Sequence, residues 1–278
     1  KHRNARSACG AQRGPRAERT GAFRCLRCKN NQRTRPNNES LPFLYTLPDP
    51  SDMSLQVRER LGLADLITLV GAVLGVLAMT AAVLGRVQLV AQLILFAAVA
   101  DGLDGIVARR YGGTRVGPHL DSIADLVSFG TAPALFVFVA ADAEWALADD
   151  PARFALAAGV AALVVVFSLV RTALYTVYVE EGEARPGIQN TLASSILAAA
   201  YLAGLTNVPA LLALALVLSV LMVAPVRYPK LLARDAFVLG FVQMGAVLLP
   251  TVLYRLFPRL LLVAALAYLT LAPRYYWN

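Results

Sequence analysis

The chain has 278 residues, 58% of them hydrophobic and 16% charged, with a mean hydropathy of +0.58. That composition excludes an ordinary soluble domain, and long, nearly uncharged runs from Leu66 onward mark a polytopic membrane protein. The net charge of +8 is local: residues 1–52 hold 11 Lys and Arg against 4 Asp and Glu, whereas residues 53–278 hold 15 against 14. The basic character therefore does not indicate a nucleic-acid partner.

Residues 1–52 show no helical period and many Arg, Asn and Pro, and read as a disordered or non-native extension. Met53 then opens an amphipathic start, MSLQVRERLG, which suggests a mis-assigned or added upstream segment. The three cysteines, Cys9, Cys25 and Cys28, all fall in the extension. Cys25 and Cys28 have metal-knuckle spacing, but a second pair is missing, so the zinc signal is weak.

Eight apolar spans are expected, at about 66–85, 87–108, 120–141, 152–176, 188–204, 208–225, 235–252 and 257–272. Asp65 at the start of the first reads as an N-cap, with Thr68 following it. Arg109, Arg110 and Arg115 follow the second span, and Arg227, Lys230 and Arg234 follow the sixth. The acidic turn Asp142–Asp150 lies on the opposite side. This asymmetry places both termini, and the end of the second span, in the cytoplasm. Glu180, Glu181 and Glu183 read as a solvated loop.

Most functional information sits in DGLDGIVARRYGGTRVGPHLDSIAD, residues 101–125. Asp101 and Asp104 are spaced i,i+3 at the end of the second span, and Asp121 and Asp125 are spaced i,i+4 at the start of the third. Each pair shares one helix face. A loop with Gly112, Gly113, Gly117 and Pro118 lets the two helices return side by side. Four carboxylates near hydrocarbon are costly unless cations compensate them, and oxygen-only ligation suits Mg2+, Mn2+ or Ca2+. A pair of such ions clamps a diphosphate. Arg109 can supply a forked phosphate contact, an uncommitted carboxylate can take a proton from an attacking alcohol, and Gly105 and Ala108 leave room beside the helix. The pattern points to attack on a membrane-embedded phosphoanhydride by a small hydroxyl nucleophile. An ion or proton relay of a cation transporter, or acids with only a structural role, fit the same residues.

The stretch closely resembles the signature of the CDP-alcohol phosphotransferase family: Asp101-x2-Asp104-Gly105-x2-Ala108-Arg109, then Gly117-x3-Asp121-x3-Asp125. The seven-residue gap between Arg109 and Gly117 is one shorter than in many members. The resemblance covers roughly residues 60–232 and implies a six-helix transmembrane core over 53–232, with residues 233–278 adding two C-terminal transmembrane helices. It implies two divalent cations, Mg2+ or Mn2+, on Asp101, Asp104, Asp121 and Asp125, with Asp125 as base. Asp101, Gly105, Ala108, Arg109, Gly117 and Asp121 would bind the nucleotide and diphosphate. The run Asp121-Ser-Ile-Ala-Asp-Leu-Val-Ser-Phe-Gly-Thr-Ala-Pro-Ala134 is similar to the phosphatidylserine synthase branch, as are Arg171 and Tyr228-Pro229-Lys230. In the region 186–190, that branch often carries a second proline that this chain lacks. The branch implies CDP-diacylglycerol or CDP-archaeol as donor, L-serine as acceptor and CMP as product, with Ser128, Arg171, Arg227 and Lys230 as acceptor contacts. The Ala-, Val- and Gly-rich spans are similar to archaeal homologues. A homodimer among membrane lipids is the expected assembly. Glycerol 3-phosphate or inositol phosphate remains an alternative acceptor, since the same cations could hold a phosphate.

Overall fold

The computed structural model describes residues 61–178, 185–228 and 233–275. Residues 1–60, with the cysteines and the basic segment, lie outside it, as do the Glu180–Glu183 loop, Pro229 and Lys230. Among the described residues the chain forms eight helices: α1 (Leu63–Val83), α2 (Val87–Tyr111), α3 (Gly117–Trp145), α4 (Pro151–Tyr178), α5 (Asn190–Ala203), α6 (Val208–Val223), α7 (Ala233–Leu248) and α8 (Leu256–Tyr275).

α1 and α2 form a tight hairpin. Gly85 takes a left-handed φ of 67° and ends α1 in a Schellman turn, with Arg86 N donating to Ala81 O and Gly85 N to Ala82 O. Small residues, including Ala78, Ala82, Ala91 and Ala97, are buried where the two helices meet, so the backbones can approach closely. α3 crosses α1 as closely: a Cβ on Gly75 would stand 2.8 Å from Ser128 Cα. Within α3, residues Leu126–Thr131 are π-helical, with Ala132 N donating five residues back to Val127 O. One core joins all eight helices, from Ile94 and Leu95 of α2 through Phe136 of α3 to Ala246 of α7 and Leu261 of α8. Phe136 meets Tyr201 of α5 edge-to-face at 5.3 Å. Large apolar side chains also cover the outside, such as Val70 and Val73 of α1 and Val166 and Val170 of α4. Helices apolar on every side belong in a bilayer.

The expected arrangement of six plus two membrane-crossing helices is not what forms. Four helical stretches are long and apolar enough to cross a membrane: Leu63–Val83, Val87–Tyr111, Gly117–Trp145 and Pro151–Val177. The other apolar helical stretches, Asn190–Ala203, Val208–Val223, Phe237–Leu248 and Leu256–Ala272, are 10–17 residues long. A 14-residue helix such as α5 rises about 21 Å, against about 30 Å of hydrocarbon. Hydropathy over-counted because apolar sequence continues past the helix ends. The run at 188–204 starts before α5 begins at Asn190. The run at 235–252 continues past the end of α7 at Leu248 into a turn, and the residues just after the run, Leu253, Tyr254 and Arg255, have φ of 50°, 55° and 64°. The protein is multi-pass, with four qualifying helices among the described residues.

The all-α class holds, and the described residues add one short β clip to it. β1 (Arg185–Pro186) pairs antiparallel with β2 (Arg227–Tyr228), joining the segment before α5 to the segment after α6. Gly187 N donates to Val226 O at 2.8 Å and Ile188 N to Leu221 O at 3.1 Å. Gly187 has a φ of 74°, and a Cβ there would collide with the Met222 carbonyl, so only glycine fits. This clip sets where α5 starts.

Candidate metal and phosphate site

The last turns of α2 carry Asp101 and Asp104, and the first turns of α3 carry Asp121 and Asp125. Between them Gly112, at a φ of 90°, closes α2 by donating to Ala108 O. The loop is then latched to α1. Asp65 Oδ2 accepts from Thr114 Oγ1 at 2.7 Å and from Gly62 N at 2.8 Å, while Thr114 Oγ1 accepts from Gly117 N at 2.9 Å. A Cβ on Gly117 would stand 2.9 Å from Asp65 Oδ1, so this position needs glycine for close approach. Asp65 is thus not the N-cap. That position is Gly62, and Asp65 is the third helical residue reaching back to it, because its carboxylate also has to meet the α2–α3 loop.

The two carboxylate pairs converge. One ligand oxygen each from Asp101, Asp104 and Asp121 lies within 4.8 Å of the others. Asp125 stands within hydrogen-bonding reach of Asp101, and the Arg171 guanidinium acts on both. Asp104 is buried, and its Oδ2 accepts from Thr68 Oγ1 at 2.6 Å. Asp101 Oδ2 accepts from Thr191 Oγ1 at 3.1 Å. Three carboxylate oxygens at this spacing, two of them from carboxylates held by neutral hydroxyls, suit one hard divalent cation.

The other expected site residues are placed as follows. Arg109 is exposed and folds back along α2, with a guanidinium nitrogen 4.0 Å from where a Cβ on Gly105 would stand. Gly105 and Ala108 are partly accessible on the same turns. Arg171 of α4 is 8% exposed and stacks on the Tyr175 ring at 5.3 Å. Ser128 is buried, and its hydroxyl donates to Gly71 O at 3.0 Å, a helix-packing contact. The side chains of Arg227 and Lys230 lie outside the described part. Thr68, Thr114 and Thr191 were not expected at the site. A threonine in an apolar helix carries no sequence signal of its own. Thr114, three residues before Gly117 in the glycine-bearing loop, is the one that loop chemistry could have flagged.

These features define a multi-pass membrane protein with an acidic, oxygen-only cluster where the end of α2 meets the start of α3. A family model described as CDP-alcohol phosphatidyltransferase matches residues 61–253, and the chain belongs to that family. It is therefore a transferase of the class that acts on CDP-linked alcohols, and its acidic cluster accords with a metal-dependent member. Among similar proteins, an archaetidylserine synthase of Methanothermobacter thermautotrophicus is 27% identical over 178 residues, covering 63% of this chain and 72% of the relative. A CDP-diacylglycerol–serine O-phosphatidyltransferase of Methanocaldococcus jannaschii is 37% identical over 83 residues, covering 30% and 38%. One of the same name from Mycobacterium tuberculosis is 48% identical over 54 residues, 19% of each chain. The last two matches thus span well under half of those relatives.

Proposed function

We propose that the chain transfers the lipid phosphoryl group of a CDP-linked lipid, CDP-diacylglycerol or CDP-archaeol, to the hydroxyl of L-serine, with release of CMP. The observation that carries the serine reading is Arg171: a buried cation on α4 acts on Asp101 and Asp125, where it can hold an acceptor carboxylate. The serine-specific names of the relatives support it.

In this reading Asp101, Asp104 and Asp121 would hold a divalent cation, Mg2+ or Mn2+, and Asp125 would share in holding a second. When bound, such ions neutralise the diphosphate and stabilise the charge on its oxygens. Arg109 forks onto a phosphate from the rim. Gly105, Ala108 and Gly117 leave space for the nucleotide. Asp125 takes the serine proton as the serine oxygen bonds to the lipid-side phosphorus. The bond from that phosphorus to the bridging oxygen breaks, and its electron pair leaves with CMP. Arg227 and Lys230 stand as further acceptor contacts, and Ser128 supports the wall through its bond to Gly71. The site faces the cytoplasm, since the exposed Arg109, Arg110 and Arg115 share its end of the molecule. The working unit is a homodimer.

The test is an acceptor panel on the purified chain with radiolabelled serine, glycerol 3-phosphate and inositol phosphate, using ester- and ether-linked donors. Metal-dependent CMP release with label entering lipid from serine alone is expected. Label entering only from a phosphorylated alcohol overturns the serine assignment, and cation flux without CMP release overturns the transferase mechanism altogether.

A further inference from the structure

We infer that Thr191 and Thr68 are positioning residues that fix which oxygen of Asp101 and of Asp104 faces the cation; the inference rests on the metal reading above. A carboxylate has two equivalent oxygens, and a side-chain rotation exchanges them. A hydroxyl that donates to one pins the rotation and leaves the other directed at a ligand. Here both aspartates present Oδ2 to a threonine: Asp101 to Thr191 at 3.1 Å and Asp104 to Thr68 at 2.6 Å. The two hydroxyls come from different neighbours, α5 and α1, so the acidic end of α2 is gripped from two helices.

Most helical threonines do something else. Thr80, Thr176 and Thr270 each donate to the carbonyl four residues back on their own helix. Thr68 has that option at 3.2 Å to Ala64 O but lies much closer to the carboxylate. A hydroxyl has one proton to give, and the shorter, charge-assisted partner takes it. Thr191 has no carbonyl four residues back within its own helix, because it is the second residue of α5. Its position is built from elsewhere. The Gly187 clip fixes the helix start, and the fully buried Asn190 donates through Nδ2 to Thr172 Oγ1 of α4 at 2.9 Å.

The experiment uses the full chain in detergent, with Mn2+ as probe and electron paramagnetic resonance as readout, on T191V, T191S, T68V and T68S. Valine keeps the shape and removes the hydroxyl, and serine restores the hydroxyl. Each valine variant should weaken Mn2+ binding about tenfold, raise the metal concentration for half-maximal activity in step, and change turnover at saturating metal much less. Each serine variant should return to within about twofold of the starting affinity, as outer-shell control by the hydroxyl demands. Thermal melting without metal identifies any variant that misfolds, in which case the other threonine's pair decides. Valine variants that bind Mn2+ normally, or serine variants as weak as the valine ones, overturn the assignment. A wild-type chain that binds no Mn2+ overturns the metal reading itself.

Discussion

α2 is tied to its neighbours by two kinds of polar bond, and they differ in what they hold. At its acidic end, hydroxyls from α1 and α5 terminate on the carboxylates of Asp104 and Asp101. Nearer its start, the ties to α7 run through glutamines and terminate on backbone carbonyls. Gln92 Nε2 donates to Val247 O at 2.7 Å, and Gln243 Nε2 donates to Leu95 O at 2.9 Å. The glutamine bonds hold helices together and orient no reactive atom; Val247 O, in the last turn of its helix, would otherwise lack a partner. The threonine bonds orient groups whose rotation would change the chemistry. In a bilayer both kinds are favourable, yet only one should be visible in metal affinity.

That contrast can be broken in three places. Asp125→Asn at the acidic end should lower transfer by about 100-fold or more, the usual weight of a positioned base, while CDP-lipid binding changes little; near-normal turnover would remove Asp125 from the proton step. Gly187→Ala should cost about 2 kcal/mol or more, because the added carbon meets both a left-handed backbone and the Met222 carbonyl. Its melting temperature in detergent should fall, and Mn2+ affinity should fall with it as α5 shifts Thr191; an unchanged melt would mean the clip is not required. Gln243→Leu should have the smallest effect, about 0.6 kcal/mol for a buried inter-helix hydrogen bond, with turnover preserved. A large loss of activity in that variant would erase the distinction between the two kinds of tie.

The acidic site was legible in large part because carboxylates beside hydrocarbon have few reasons to be there, and their i,i+3 and i,i+4 spacing fixes a face. The structure brings ligand oxygens of Asp101, Asp104 and Asp121 within 4.8 Å of one another. What stayed hidden was everything supplied by partners distant in sequence. Thr191 reaches Asp101 from a separate helix, and Asp65 reaches Thr114 across 49 residues. Neither pairing leaves a local pattern. The membrane spans were over-read for a different reason. Hydropathy registers apolar side chains, whereas crossing requires an unbroken helix, and Ile188 or Val252 are as apolar outside a helix as in a span. Ser128 lies in a recognisable motif, yet its hydroxyl is engaged by Gly71; a motif names the residue and leaves its rotamer to the packing.

The π-helical stretch inside α3 has a consequence of phase. It begins at Leu126, directly after Asp125, and returns to α-helix at Ala132. A π-turn accommodates one residue beyond the α-helical count, and each residue of an α-helix advances the side-chain direction by about 100°. The upper part of α3, with Asp121 and Asp125, is therefore rotated against its buried lower part by a surplus residue. Ser128, Phe129 and Gly130 lock that offset in the core. The orientation of one carboxylate pair thus depends on an angular setting of the backbone as well as on the contacts the carboxylates make.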